Sequence, residues 1–205
     1  QIRRPRRVTV HHQQTTMGIT GPVVLNVRSS DLDESMLKAV AATWSEAFGG
    51  ERDRYAEALA RRALPDSDAF SAEWIHAIFE DEDCVAACRT FLRSIAVNGE
   101  PRKVLALAHV ATAKRARGRG YGSTVVQAAF ETRLASGPVR ESLFCTGVPA
   151  FYDKLGCQRV AFASVSYPPG SHKPFRDSNF FRHAAPGAPP FPADGAHLDA
   201  GGDGW

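Results

Sequence analysis

Val110-Ala-Thr-Ala-Lys-Arg-Ala-Arg-Gly-Arg-Gly-Tyr-Gly-Ser123 carries more chemical information than any other stretch of this chain. It follows an apolar run, Val104 to Thr112, that reads as a strand covered on both faces. It leads into Tyr121 to Leu134, which reads as a helix. Between them, Gly118, Gly120 and Gly122 let the backbone bend tightly and approach a ligand with no Cβ in the way. The start of the helix offers N–H groups that lack intrahelical acceptors, and the helix dipole favours negative charge there. Arg117 and Arg119 add positive charge beside it. These features describe a pyrophosphate site without naming a nucleotide. The glycines alone are equally consistent with a tight strand-to-helix turn that holds nothing. A GxxxxGK(S/T) run is absent, and the third glycine spacing does not fit GxGxxG. The preceding strand sits mid-chain behind a hairpin rather than opening a βαβ unit.

The hairpin is signalled by Asn98-Gly99, set between a β-rich run from Cys84 to Val97 and the strand that begins at Val104. Upstream, Val23 to Arg28 reads as a short strand. Ser30 reads as the start of a helix with Asp33 in a capping-box-like position. Leu37, Val40, Ala41, Trp44 and Phe48 form its apolar face, and Gly49-Gly50 stops it. A second amphipathic helix is expected from Glu51 to Arg62, then loop with a short helix around Trp74 to Phe79. Downstream, Ser142 to Thr146 is a buried strand, Pro149 to Leu155 a short helix ended by Gly156, and Arg159 to Tyr167 a last strand. From Tyr167 onward the chain holds seven of the 13 prolines, which sets it apart from the body. Its composition fits either a disordered tail or an extended wrap anchored by Phe175, Phe180, Phe181, Phe191 and Trp205. The expected organisation is a leader or basic arm at 1–16, one domain at 17–167, and a Pro/Gly-rich tail at 168–205 packed near an acceptor site.

The chain has 205 residues, 43% of them apolar and 23% charged, which suits one globular, soluble domain. No apolar run of about 18 residues occurs, so no membrane partner is expected. Arg3, Arg4, Arg6 and Arg7 supply more than the whole net charge of +3; without these four the chain stands at −1. A nucleic-acid partner therefore has little electrostatic support. Cys84, Cys88, Cys145 and Cys157 form no CxxC pair and read as buried, reduced thiols in a cytoplasmic protein, with no metal site. A separation of four along a strand is expected to put Cys84 and Cys88 on one face.

With Arg117-x-x-Gly120-x-Gly122 after a buried strand, the sequence resembles the GNAT family of acetyltransferases. Val148-Pro-Ala-Phe-Tyr-Asp-Lys-Leu-Gly-Cys157 resembles a second motif of that family, in the expected order. The resemblance covers about residues 23–165. It implies an α/β (α+β) GNAT fold: a central mixed, mostly antiparallel twisted sheet flanked by helices, with an extended Pro-rich C-terminal tail. It implies acetyl-CoA as cofactor. Arg117, Gly118, Arg119, Gly120, Tyr121, Gly122 and Ser123 would hold the pyrophosphate, and Val110, Ala111 and Thr112 the pantetheine arm. It places Tyr152 as the general acid for the departing thiolate, a role that suits a phenol with a reference pKa near 10. The family often has a glutamate base near this strand, but the strand here holds His109 instead. An unperturbed imidazole suits proton abstraction at neutral pH. A histidine in an apolar strand also fits a plain core role.

Within the family, the layout is most similar to the aminoglycoside 2′-N-acetyltransferases. That resemblance implies a small-molecule amine acceptor, aminoglycoside or kasugamycin-type, with Trp205 and more weakly Asp203 near the reaction. A polycation also needs carboxylates, and Glu51, Asp53 and the run Glu80, Asp81, Glu82 and Asp83 are candidates. The acidic run fits a solvated turn as well. A peptide or protein acetyltransferase and a non-catalytic acetyl-CoA sensor are the competing classes. A homodimer is a family expectation only.

Overall fold

The computed structural model describes residues 22–62, 73–135, 137–168, 179–192 and 195–201. Its central feature is the long hairpin of β3 (Asp83–Val97) and β4 (Glu100–Thr112). Asn98 and Gly99 turn it with φ of 52° and 80°. Two positive φ angles match the twist of the flanking strands, which is why this dipeptide sets the register Val97↔Glu100.

β1 (Leu25–Arg28) and β2 (Trp74–Glu80) extend the sheet on one side. The expected helix around Trp74 is thus a strand. Its middle residues, Ile75 to Ile78, are buried, so it shows a continuous apolar run instead of polar alternation. Pairing with β3 decides between strand and helix where periodicity does not. On the other side lie β5 (Glu141–Thr146), β8 (Asn179–Ala184) and β6 (Gln158–Val160), in the order β1-β2-β3-β4-β5-β8-β6. β7 (Phe162–Ser166) pairs parallel with β9 (Ala196–Asp199), which joins β3 at Ala96 and Val97. All other neighbours run antiparallel except β4 and β5. The sheet is therefore mixed and mostly antiparallel, as expected.

Two stretches of segment 168–205, Asn179–Ala184 and Ala196–Asp199, are strands of the sheet. β8 enters the sheet between β5 and β6, with Phe180 and Phe181 buried. The expected single strand from Arg159 is two short strands, because β6 pairs β8 and β7 pairs β9. Glu141 ties this end together. It bonds Arg182 at 2.7 Å and pairs with Arg102 at 3.3 Å, and both guanidiniums lie over the Phe191 ring at 5.1 Å.

α1 (Glu34–Phe48) is capped by Asp33, whose carboxylate accepts the Met36 N–H at 2.9 Å. That cap lies three residues beyond the expected Ser30, because Ser29–Asp31 form a separate 3-10 turn. Gly49, at φ 75°, ends α1, and α2 (Arg52–Arg62) follows. α3 (Tyr121–Ala135) covers one sheet face, packing Val125, Val126 and Phe130 on Ile78, Val85, Leu105 and Phe144. The opposite face has two clusters. One joins α1 and α2 through Val40, Trp44 and Leu59 to Ile75 and Ala87. The other joins β9 through Leu198 to Ile95, Val104 and Phe180.

Cys84 and Cys88 face opposite sides, contrary to the spacing argument. Ile78 pairs Ala86 but Phe79 pairs Cys84, so Val85 is an extra residue in β3. One bulged residue reverses the alternation. All four cysteines are free and buried, and burial pushes the thiols of Cys84, Cys145 and Cys157 up to about 11. No helix among the described residues is long and apolar enough to cross a membrane.

Candidate active site

β4 and β5 share a parallel register only at Leu105↔Ser142. Beyond it a cleft of about 570 Å³ lies between them, lined by Val110, Ala111 and Thr112 on one side and Val148, Phe151 and Tyr152 of the segment after β5 on the other. Opposite Cys88, β4 carries two residues, His109 and Val110: Arg89 pairs Ala108 and Ala87 pairs Ala111. This is a β-bulge, and His109 takes φ 51° within it.

After a 3-10 turn at Lys114–Ala116, the chain enters the glycine segment. Gly118 and Gly120 have φ of 79° and 83°, and a Cβ on either would meet nothing within 4 Å. Glycine serves conformation there, and the space beside it is open to a ligand. Gly122 serves packing. A Cβ on it would stand 3.0 Å from Thr112 Oγ1 and 3.7 Å from the Phe151 ring. Thr124 N–H bonds Gly120 O at 3.1 Å, leaving the N–H groups of Tyr121, Gly122 and Ser123 without intrahelical acceptors. All these residues except Thr124 line the cleft, as does Arg117, whose Nε–H donates to Thr112 O at 3.2 Å. Arg119 does not line it. Its guanidinium pairs with Glu80 at 2.7 Å and lies over the Tyr121 ring, while the Tyr121 hydroxyl donates to Glu80 at 2.8 Å. That hydroxyl contact, above all, holds the Glu80 carboxyl below its ordinary range.

Tyr152 lies on α4 (Pro149–Asp153), 4% exposed, with Phe144, Phe151 and Phe181 around its ring at 4.6, 4.8 and 5.9 Å. Its hydroxyl has no hydrogen-bond partner among the described residues. Burial pushes the phenol pKa well up, so Tyr152 keeps its proton at neutral pH.

His109 is half-buried, with the rings of Trp44, Phe48 and Tyr55 at 5.0, 5.6 and 6.0 Å. Arg89 Nε–H donates to His109 Nδ1 at 2.9 Å. A guanidinium N–H has no lone pair to offer, so Nδ1 is the acceptor and the neutral ring carries its proton on Nε2. Proton abstraction, the role expected of His109, needs a lone pair that this tautomer does not have at Nε2. The His109 side chain is also not among those lining the cleft.

The acids are spread out. Glu51 and Asp53 stand at the start of α2, just past Ala47 and Phe48, which line the cleft; neither carboxylate lines it. Asp81, Glu82 and Asp83 lie at the β2–β3 turn beside Arg115, which pairs with Asp83 at 2.8 Å. They border other hollows, Asp81 with Val23 and Met36, Asp83 with Lys38 and Arg52. The structure therefore does not bring the acidic turn to Tyr152. Trp205 and Asp203 lie outside the described residues.

Ala47, Phe48, Ala116, Val148 and Phe151 also line the cleft and were not among the expected site residues. Phe48 and Val148 are 52% and 61% exposed, two of the three exposed large apolar side chains among the described residues. Phe48 read as helix core, and Val148 stood at the head of the second motif with no site role assigned to it. An acyl-CoA fits this cleft: free N–H groups and Arg117 for the diphosphate, apolar walls for the arm, and no carboxylate among the lining residues to repel phosphate.

Residues 28–160 match the family model described as an acetyltransferase (GNAT) domain, and this chain belongs to the GNAT acetyltransferase family. GNAT domains use acetyl-CoA. The fold is similar to an acyl-CoA N-acyltransferase from Pseudomonas aeruginosa, at 14% identity and TM-score 0.53, over 80% of this chain and 100% of that one. It is similar to Escherichia coli ElaA at 14% identity and TM-score 0.54, over 80% and 99%. A conserved protein from Enterococcus faecalis V583 matches at 15% identity and TM-score 0.51, over 67% of this chain but only 33% of its own length, so this chain spans about a third of that protein. At these identities the likeness concerns the fold. No curated protein matches the chain.

Proposed function

We propose that this chain transfers the acetyl group of acetyl-CoA to a primary amine of a small molecule. One observation supports the proposal: a single cleft is lined both by the glycine turn at the start of α3 and by the buried phenol of Tyr152. The N–H groups of Tyr121, Gly122 and Ser123, with Arg117, hold the diphosphate. The exposed edge of Val110 to Thr112 orients the arm, and a backbone N–H there supports the carbonyl oxygen as it gains charge. The amine nitrogen attacks the thioester carbon, the C–S bond breaks, and the Tyr152 hydroxyl donates its proton to the leaving sulfur. The proton lost by the amine passes to solvent and restores the phenol. The amine reacts from its neutral fraction, without a protein base.

The finer reading is an aminoglycoside acceptor, kasugamycin-type included. The Phe48 edge of the cleft runs into Glu51 and Asp53, which would meet a polycation approaching from that side. Trp205 would complete the acceptor site, and a homodimer is part of the same proposal. Thiol release from acetyl-CoA, measured against aminoglycosides, simple amines and peptides, tests it. Turnover with a small amine supports the proposal, and with an aminoglycoside its finer form. Turnover with peptides alone, or binding without turnover, overturns it.

A further inference from the structure

Among described non-glycine residues, positive φ occurs at Asp81, Asn98 and His109. The first two lie in hairpin turns, where such angles are ordinary. His109 is the one inside a strand. An L-residue with a ring side chain enters this region only where its surroundings over-determine it.

Those surroundings are specific. The three aromatic rings of α1 and α2 close around the imidazole. Arg89, one residue from Cys88 on the paired strand, donates to Nδ1. Arg89 is 3% exposed, and its Nη1 is bonded to the Glu73 carboxylate, itself 7% exposed. A buried cation without such a carboxylate would be strongly unfavourable, so Glu73 is what allows Arg89 to stand under the bulge. The next residue after His109 is Val110, which lines the cleft.

We propose that the buried Glu73–Arg89 pair and His109 form a clamp that holds the β4 bulge and thereby aims the Val110 backbone N–H at the thioester carbonyl. His109 is then a positioning residue that acts through Val110, not a base. The inference rests on the proposed acetyl transfer, since it assigns the carbonyl to that N–H.

His109→Asn and His109→Ala separate the possibilities. Asparagine tolerates positive φ and keeps an acceptor oxygen near the place of Nδ1, yet it cannot act as a base. Under the clamp, His109→Ala lowers kcat by roughly 30-fold with KM for acetyl-CoA nearly unchanged, while His109→Asn loses no more than about 3-fold. Arg89→Met behaves like His109→Ala. A second readout needs no acceptor: the Val110 amide resonance in 15N-labelled protein. It shifts on binding acetyl-CoA, keeps that shift in His109→Asn and loses it in His109→Ala. His109→Asn as impaired as His109→Ala, or His109→Ala with full kcat and an unchanged Val110 shift, overturns the clamp. Wild-type protein that fails to bind acetyl-CoA sinks the proposed function instead, a result distinct from either.

Discussion

The two ends of the cleft are made of different material. At the α3 end, a ligand meets backbone: N–H groups at a helix start and glycines at φ 79° and 83° with open space beside them. At the α1–α2 end, it meets side chains drawn from distant elements: Phe48 from α1, with His109, Arg89 and Glu73 behind it. A backbone site is sensitive to conformation and indifferent to most neighbouring side chains. A side-chain site is sensitive to truncation of any member. Tyr152 belongs to neither set: it lines the same cleft from α4, and under the proposed function its loss would show in the chemical step.

That contrast orders four expectations. Tyr152→Phe keeps the packing and removes the donor, so kcat falls about 100-fold, roughly 2.7 kcal/mol, with CoA affinity by calorimetry unchanged. Equal kcat would return Tyr152 to a packing role. His76 provides a control for His109. Its Nδ1–H donates to Asn26 Oδ1 at 2.6 Å and its Nε2 accepts from Thr90 at 2.9 Å, fully enclosed in β2. Burial lowers its pKa from 6.5 to about 3. Between those values the unfolded chain binds a proton that the native one refuses, so stability falls as pH drops below 6.5 and is recovered as pH rises. Urea unfolding at pH 7 and pH 5 should differ by about 2 kcal/mol more for wild type than for His76→Asn. An identical pH dependence in the two proteins would contradict this.

Gly120→Val forces a β-branched residue into φ 83° and should weaken CoA binding about 10-fold, near 1.4 kcal/mol, in a folded protein. Unchanged affinity would mean that the turn does not hold the diphosphate. Arg119→Ala should matter least. This half-exposed guanidinium already pairs with Glu80 outside the cleft lining, so CoA affinity should move by no more than about 3-fold. A larger loss would place Arg119 among the residues that hold the diphosphate.

The backbone end was legible because it is contiguous: strand, glycines and helix start follow one another within Val110–Ser123. Tyr152 was legible through its own short motif. The side-chain end was not, because Glu73, Arg89 and His109 are brought together by strand pairing. The same reason explains β2, whose apolar run says nothing about strand or helix until β3 lies beside it. Local spacing also misjudged Cys84 and Cys88, since a bulge is a property of a pair of strands. Composition likewise set 168–205 apart, because prolines conceal that Phe180 and Phe181 belong to a strand.

β8 has a consequence for the timing of biosynthesis. Among the described residues it is the sole strand paired with β6, which it separates from β5, and its Phe181 packs against Tyr152. A nascent chain that has emerged only as far as Ser166 carries both motifs but leaves the phenol uncovered on that side. The wall that covers Tyr152 on that side is therefore completed only after Asn179–Ala184 has been synthesised.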